Sequence, residues 1–141
     1  MKIENKIFKT ELIEWQKIKD LQPKNLKIPF NLEYLKSSLI KYGFSKAFDV
    51  WEDKKGDIYF IDGHTRTEVL LELLNDGFEI PEKLTCNFRD CKDKREAIKV
   101  LLEVHNQKTN RIDETSMIEW IDVEDIDIEE INIESVNVQF E

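Results

Sequence analysis

FIDGHTRTEVLLEL, residues 60 to 73, carries an apolar run into Asp-Gly-His-Thr-Arg and then, with no spacer, into a Leu-rich amphipathic segment. The junction reads as a strand that hands over directly to a helix. From Thr65 the apolar spacing becomes helical, with Val69, Leu70, Leu73 and Leu74 on one stripe and Gly77 closing the helix. Just upstream, Phe48 to Glu52 and Asp57 to Ile61 are apolar-rich runs joined by DKKG, a hairpin in which Gly56 supplies the turn. A hairpin is thus followed directly by a helix.

The flanks extend that pattern. Asn31 to Tyr42 predicts a helix with Asn31 as N-cap, Leu32, Leu35 and Leu39 on one face and Gly43 at its end. Pro23 and Pro29 keep residues 21–30 out of helix, and Ile13 to Leu21 reads as a short strand leading into the turn at LQPKN. A strand is expected around Leu84 to Phe88. Behind it Asp93, followed three residues later by Glu96, opens a helix that carries Ala97, Ile98, Leu101, Leu102 and His105 on its inner face. A last helix over Glu114 to Ile121 presents Met117, Trp120 and Ile121. The aromatics Phe44, Phe48, Trp51, Tyr59 and Phe60 read as core and hairpin packing, and Lys92, Lys94, Arg95 and Lys99 as a solvated face interleaved with acids.

A chain of 141 residues suits one compact domain with an appendage, and can bury a core without staples. Its net charge of −9 is uneven: residues 122–141 hold eight acids and no Lys or Arg, leaving 22 acids against 21 bases in the rest. The reading is therefore a nearly neutral body, residues 1–121, and an acidic extended tail, residues 122–141. Within the tail IDIEE, INIES and VNVQF repeat large apolar residues at their first and third places, suited to packing on the chain itself, on a second copy or on a basic partner. There is no global basic footprint for nucleic acid. Cys86 and Cys91 fit no metal or redox spacing, no signal peptide is evident, and no apolar run approaches the roughly 20 residues of a membrane span. A soluble, reduced, cytoplasmic protein with no membrane partner is expected.

The residues at 62–66 suit an anion. The first backbone N–H groups of a helix lack intrahelical partners and sit at the positive end of its dipole. Gly63 lets a ligand come close to the backbone, Arg66 adds a planar donor fork, and Thr65 and His64 can donate a hydroxyl and a ring N–H. Asp62 could hold a metal ion, take a proton, or orient His64 or Arg66. An ordinary Asp-Gly turn with Thr65 as N-cap accounts for the same residues without a ligand.

IDGHTRTEVLLEL closely resembles the signature of the ParB/sulfiredoxin superfamily, a strand followed by a G-[HE]-x-R turn and a helix. LQPKN resembles the family's upstream Pro-containing box, NLEYLKSSLIKYGFSKAFDVWED the elements before the signature, and VHNQKTNRIDETSMIEWI the downstream Asn-Gln-Arg box and helix. The resemblance covers Trp15 to Ile121 in family order and stops short of the acidic tail. It implies a small α+β domain, a mixed sheet with helices packed against it, holding a nucleoside triphosphate, CTP or ATP, with Mg2+. Gly63, His64, Thr65, Arg66 and Asn106 would contact phosphate, Asp62 and His64 would be the catalytic groups, and Asp62 and Glu103 the metal candidates.

Three departures narrow the reading. His64 stands where sulfiredoxins place a catalytic cysteine, and no helix-turn-helix region follows Ile121 as it does in partition ParB proteins. The downstream box also has His105 where ParB proteins carry a Glu before the Asn, which weakens the case for CTP hydrolysis more than for binding. The expectation is a nucleotide-binding ParB-like protein without a helix-turn-helix, acting in DNA processing in a phage or mobile element, with DNA or a DNA-modifying protein as partner and a homodimer as one assembly. An interaction module that docks through its acidic tail is the alternative, and a metal-dependent nuclease the third reading.

Overall fold

A computed structural model describes residues 1–23, 32–104, 112–131 and 138–139, the side chains of 112, 138 and 139 excepted. The fold is α+β, as expected, with four α-helices and a five-stranded mixed sheet among these residues. The chain forms two compact units, one of Met1–Lys19 with Asn31–Cys91, the other of Asp20–Phe30 with Lys92–Glu141. No described helix is long and apolar enough to cross a membrane.

The first unit carries the sheet. Its elements are β1 (Ile7–Glu14), β2 (Lys19–Asp20, at the unit boundary), α1 (Leu32–Tyr42), β3 (Phe48–Glu52), β4 (Ile58–Asp62), α2 (His64–Asn75) and β5 (Lys83–Arg89). Strand order is β1-β5-β3-β4-β2, with β1 antiparallel to β5, β5 parallel to β3 and β3 antiparallel to β4. The expected hairpin is β3–β4. Asp53 organises its turn by accepting hydrogen bonds from the backbone N–H groups of Lys55 and Asp57, at 3.0 and 2.9 Å.

Alternation then sorts the side chains. Phe48 and Val50 of β3, Phe60 of β4 and Leu84, Cys86 and Phe88 of β5 join Trp15, Ile18 and Leu70 in one core cluster. Phe48 meets Phe60 edge-on at 5.1 Å between ring centres, so these aromatics are core, as the sequence implies. The Cys86 thiol is fully buried, and burial pushes its pKa up to about 12, which makes it an inert core group. Leu32, Leu35 and Leu39 of α1 are only half-buried. Lys36, on the same helix, reaches Glu72 and Asp76 at the end of α2, 3.1 and 3.0 Å away.

The expected strand over Ile13 to Leu21 is corrected. Extended structure instead begins at Ile7 and ends at Glu14, a single 3-10 turn follows at Trp15–Lys17, and only Lys19–Asp20 returns to the sheet. Trp15 is the reason. Its ring is 1% exposed and its indole N–H donates to the Pro81 carbonyl at 2.9 Å, so the chain leaves its extended course there to bury the ring. The expected N-cap Asn31 lies outside the described residues.

The second unit holds α3 (Lys94–Glu103), β6 (Ile112–Asp113), α4 (Glu114–Val123), a 3-10 turn (Ile128–Glu130) and β7 (Val138–Gln139), which pairs in parallel with β6. Asp93 caps α3 as expected, accepting from the N–H of Glu96 at 2.9 Å, and Asp113 caps α4 through Ser116. Ala97, Ile98, Leu101 and Leu102 are buried, as are Met117, Trp120 and Ile121; His105 lies outside the described residues.

The bases at the start of α3 are not a purely solvated face. Lys94 pairs with Glu124 at 3.1 Å, Arg95 with Asp125 at 2.9 Å, and Lys99 with Glu130, whose carboxyl that contact holds below the ordinary range. The described start of the acidic segment is the end of α4, a turn and the 3-10 turn, with Ile126 and Ile131, the first residues of two repeats, buried. Three acids of the segment, Glu124, Asp125 and Glu130, are thus answered by bases of their own unit.

Candidate functional site

The Asp62–Arg66 turn lies in the first unit, where β4 ends and α2 begins one residue later than Gly63. A register shift between Asp49 and Val50 sets Asp49 opposite Asp62 while Val50 faces Phe60. Such an irregularity at a strand end re-aims the last side chain. Asp49 also faces Asn87 on β5, which in turn faces Thr10 on β1. A polar row therefore crosses four strands: the Thr10 hydroxyl donates to Asn87 Oδ1 at 2.8 Å and Asn87 Nδ2 to Asp49 Oδ1 at 3.4 Å. Asp62 closes the row where α2 starts.

Gly63 has a packing reason that the sequence does not display. Its φ is +132°, and a Cβ built there would fall 2.2 Å from Cδ1 of Phe48. The close approach permitted by the missing side chain is made by a core ring. Gly63 is also the N-cap residue of α2, and its carbonyl accepts from the N–H and the hydroxyl of Thr67, both at 2.9 Å. Gly63 has no side chain with which to cap α2, whereas Asp93 and Asp113 cap α3 and α4. No acid occupies its first turn either.

His64 opens the helix with its side chain 9% exposed, and its Nε2 lies 3.2 Å from Glu68 Oε1, one turn on. Thr65 is half-buried. Arg66 folds back. Its Nη1 donates to the Lys46 carbonyl and its Nη2 to the Ala47 carbonyl at 3.4 Å, while the guanidinium lies 4.8 Å from the centre of the Phe48 ring and 5.8 Å from that of Phe44. Burial pulls the Arg66 pKa down from its ordinary value, and the charges of Asp62 and then Asp49 oppose that pull. Arg66 therefore fastens the segment before β3 to the first turn of α2.

Asp62 is drawn into the same cluster, 3.7 Å from Arg66 Nη2 and 3.8 Å from Lys46 Nζ. Lys46 is the group that sequence reasoning missed. It comes from the loop before β3, its side chain is 79% exposed, and no motif marks it. Glu103, the other metal candidate, ends α3 in the second unit, and Asn106 lies outside the described residues. Among the described residues no group of three or more His, Cys, Asp or Glu side chains is placed to hold a metal ion. Asp62 is thus the one carboxylate of the turn itself, with two cations beside it.

A helix start whose N-cap is a glycine, a fixed guanidinium and an exposed ammonium lie together beside Asp62, with Asp49 opposite it. That arrangement can take an anion through backbone N–H groups and Lys46. No protein-family model matches the chain, and no curated protein sequence matches it.

Proposed function

We propose that the protein binds a nucleoside triphosphate, CTP or ATP, with its phosphates on the Gly63–Arg66 turn, as the resemblance to the ParB/sulfiredoxin superfamily implies. The observation that supports this reading is the junction itself: β4 passes into α2 through one glycine, beside Lys46 and Arg66. The N–H groups of the first turn would meet phosphate oxygens, Lys46 would swing onto them from its exposed loop, and Arg66 would keep the loop in place. The resemblance also assigns a phosphate contact to Asn106.

Mg2+ accompanying a nucleotide needs only one or two protein carboxylates, because phosphates and water fill its other positions. Asp62 suits that role once phosphate draws Lys46 away from it, and Glu103 is the second candidate. His64, oriented by Glu68, is the group placed to move a proton. Any attack of water on a phosphoryl group would then rest on positioning and charge neutralisation. Service in DNA processing, in a phage or mobile element and beside a DNA-modifying partner, rests on the resemblance alone.

The interaction-module reading draws less support, since Glu124, Asp125 and Glu130 already face Lys94, Arg95 and Lys99. The nuclease reading also draws less support, since the turn itself carries one carboxylate and residues 1–121 are nearly neutral in net charge. Calorimetric titration with CTP, ATP and GTP, each with and without Mg2+, tests the proposal. Saturable binding is expected, weakened about tenfold in Lys46→Ala, since one charge-assisted hydrogen bond contributes about 1.5 kcal/mol. Lys46 is exposed, so that variant should melt like the wild type. A wild type that binds none of the three overturns the reading.

A further inference from the structure

β1 ends the sheet: it pairs with β5 on one side, and no described strand pairs with its other side. An open edge of eight residues is a template for another strand, and soluble proteins usually blunt such edges. Here the edge keeps Phe8 60% and Leu12 63% exposed. Its sequence with the preceding lysine, KIFKTELIE from Lys6 to Glu14, is complementary to itself when reversed. Set antiparallel to a second copy about a twofold axis through Thr10, it places Lys9 opposite Glu11, Phe8 opposite Leu12, Ile7 opposite Ile13 and Lys6 opposite Glu14. Every charge meets its opposite, and every apolar residue meets an apolar one.

Strand geometry leaves few other choices. Two residues opposed across an antiparallel edge must turn their N–H and C=O the same way, both toward the partner strand or both away from it, so a symmetric pair of regular edges is centred on a residue. Centring on Lys9 would set Lys9 against Lys9, and centring on Glu11 would set Glu11 against Glu11. Both place like charges face to face. Centring on Phe8 would set Lys9 against Ile7, and centring on Leu12 would set Glu11 against Ile13, so among the residues from Phe8 to Leu12 Thr10 is the centre that pairs every charge with its opposite.

From these two observations we infer that β1 is a self-association edge, its occupant the β1 of a second copy of this chain, so that two sheets join across a twofold axis. Lys9 and Glu11 lie 3.6 Å apart within one copy, and in the pair each gains a further partner across the axis. The irregularity between Ile7 and Lys9 bends the first residues of the strand, so Lys9 to Glu11 is the regularly paired length about Thr10, and a weak, concentration-dependent dimer is the expected form.

The complementarity dictates the test. Sedimentation velocity of the full chain from about 10 µM to about 1 mM should show a monomer–dimer equilibrium. Lys9→Glu alone, or Glu11→Lys alone, puts like charges opposite each other twice and should raise the dimer Kd at least about tenfold. The two variants mixed should form a heterodimer, because one chain then carries acids at both facing positions, 9 and 11, and the other carries bases at both. One chain with both changes should recover wild-type association. Recovery on mixing separates edge pairing from damage to the fold, which mixing would not repair. A wild type that stays monomeric throughout, single variants that dimerise like the wild type, or a mixture that fails to associate would each overturn the inference.

Discussion

Gly63→Ala is expected to destabilise the protein by about 3 to 5 kcal/mol, from overpacking at about 1–3 and backbone strain at a similar cost. The new Cβ would lie 2.2 Å from a ring carbon of Phe48, which is fully buried and has no room to withdraw, and φ of +132° is a glycine conformation. A domain whose whole stability is about 5–15 kcal/mol would lose a large share of it, read as a fall in the urea midpoint. Adding Phe48→Leu should recover part of that loss, so the two changes together cost less than their sum. An unchanged midpoint in Gly63→Ala would mean that the junction relaxes freely and that the ring does not fix it.

Arg66→Ala should be the most damaging change among the charged groups of the turn. It removes hydrogen bonds to the carbonyls of Lys46 and Ala47 and the face-on contact with Phe48. Hydrogen bonds to a charged group contribute about 1.5–3 kcal/mol, and a loss of about 2 kcal/mol is expected. Arg66→Lys should recover little, because one ammonium cannot replace a fork that spans two carbonyls and a ring. Thermal melts and the hydrogen exchange of residues 43–47 would read it. Melting and exchange equal to the wild type would contradict the tether. The consequence for function is specific: nucleotide binding lost in Arg66→Ala also reflects a released loop, whereas Lys46→Ala leaves the scaffold in place and is the cleaner probe of phosphate contact.

What the sequence disclosed was mostly local. The β3–β4 hairpin, the stripe of α2 and the Asp93 cap of α3 each arise from residues a few places apart, so periodicity and turn chemistry reveal them. β1 escaped because it is an edge strand whose charges break the alternation, and Trp15 moved the end of the extended segment well ahead of Leu21. The link from Lys94, Arg95 and Lys99 to the acidic segment joins residues about thirty positions apart, beyond the reach of local pattern. The turn itself was legible because Asp62 to Arg66 are consecutive. Two of its determinants were not: the reason for Gly63 is a ring in β3, and Lys46 enters from a loop that carries no signature.

The central claim is that the first turn of α2 receives phosphate. It is tested most directly by backbone amide NMR of the full chain during addition of CTP or ATP with Mg2+. The account predicts saturable shifts that are largest at Gly63, His64, Thr65 and Arg66 and are reduced in Lys46→Ala. Saturating nucleotide that leaves those four amides unmoved would contradict it, and would leave the turn as a junction built to pack Gly63 against Phe48 and to anchor Arg66.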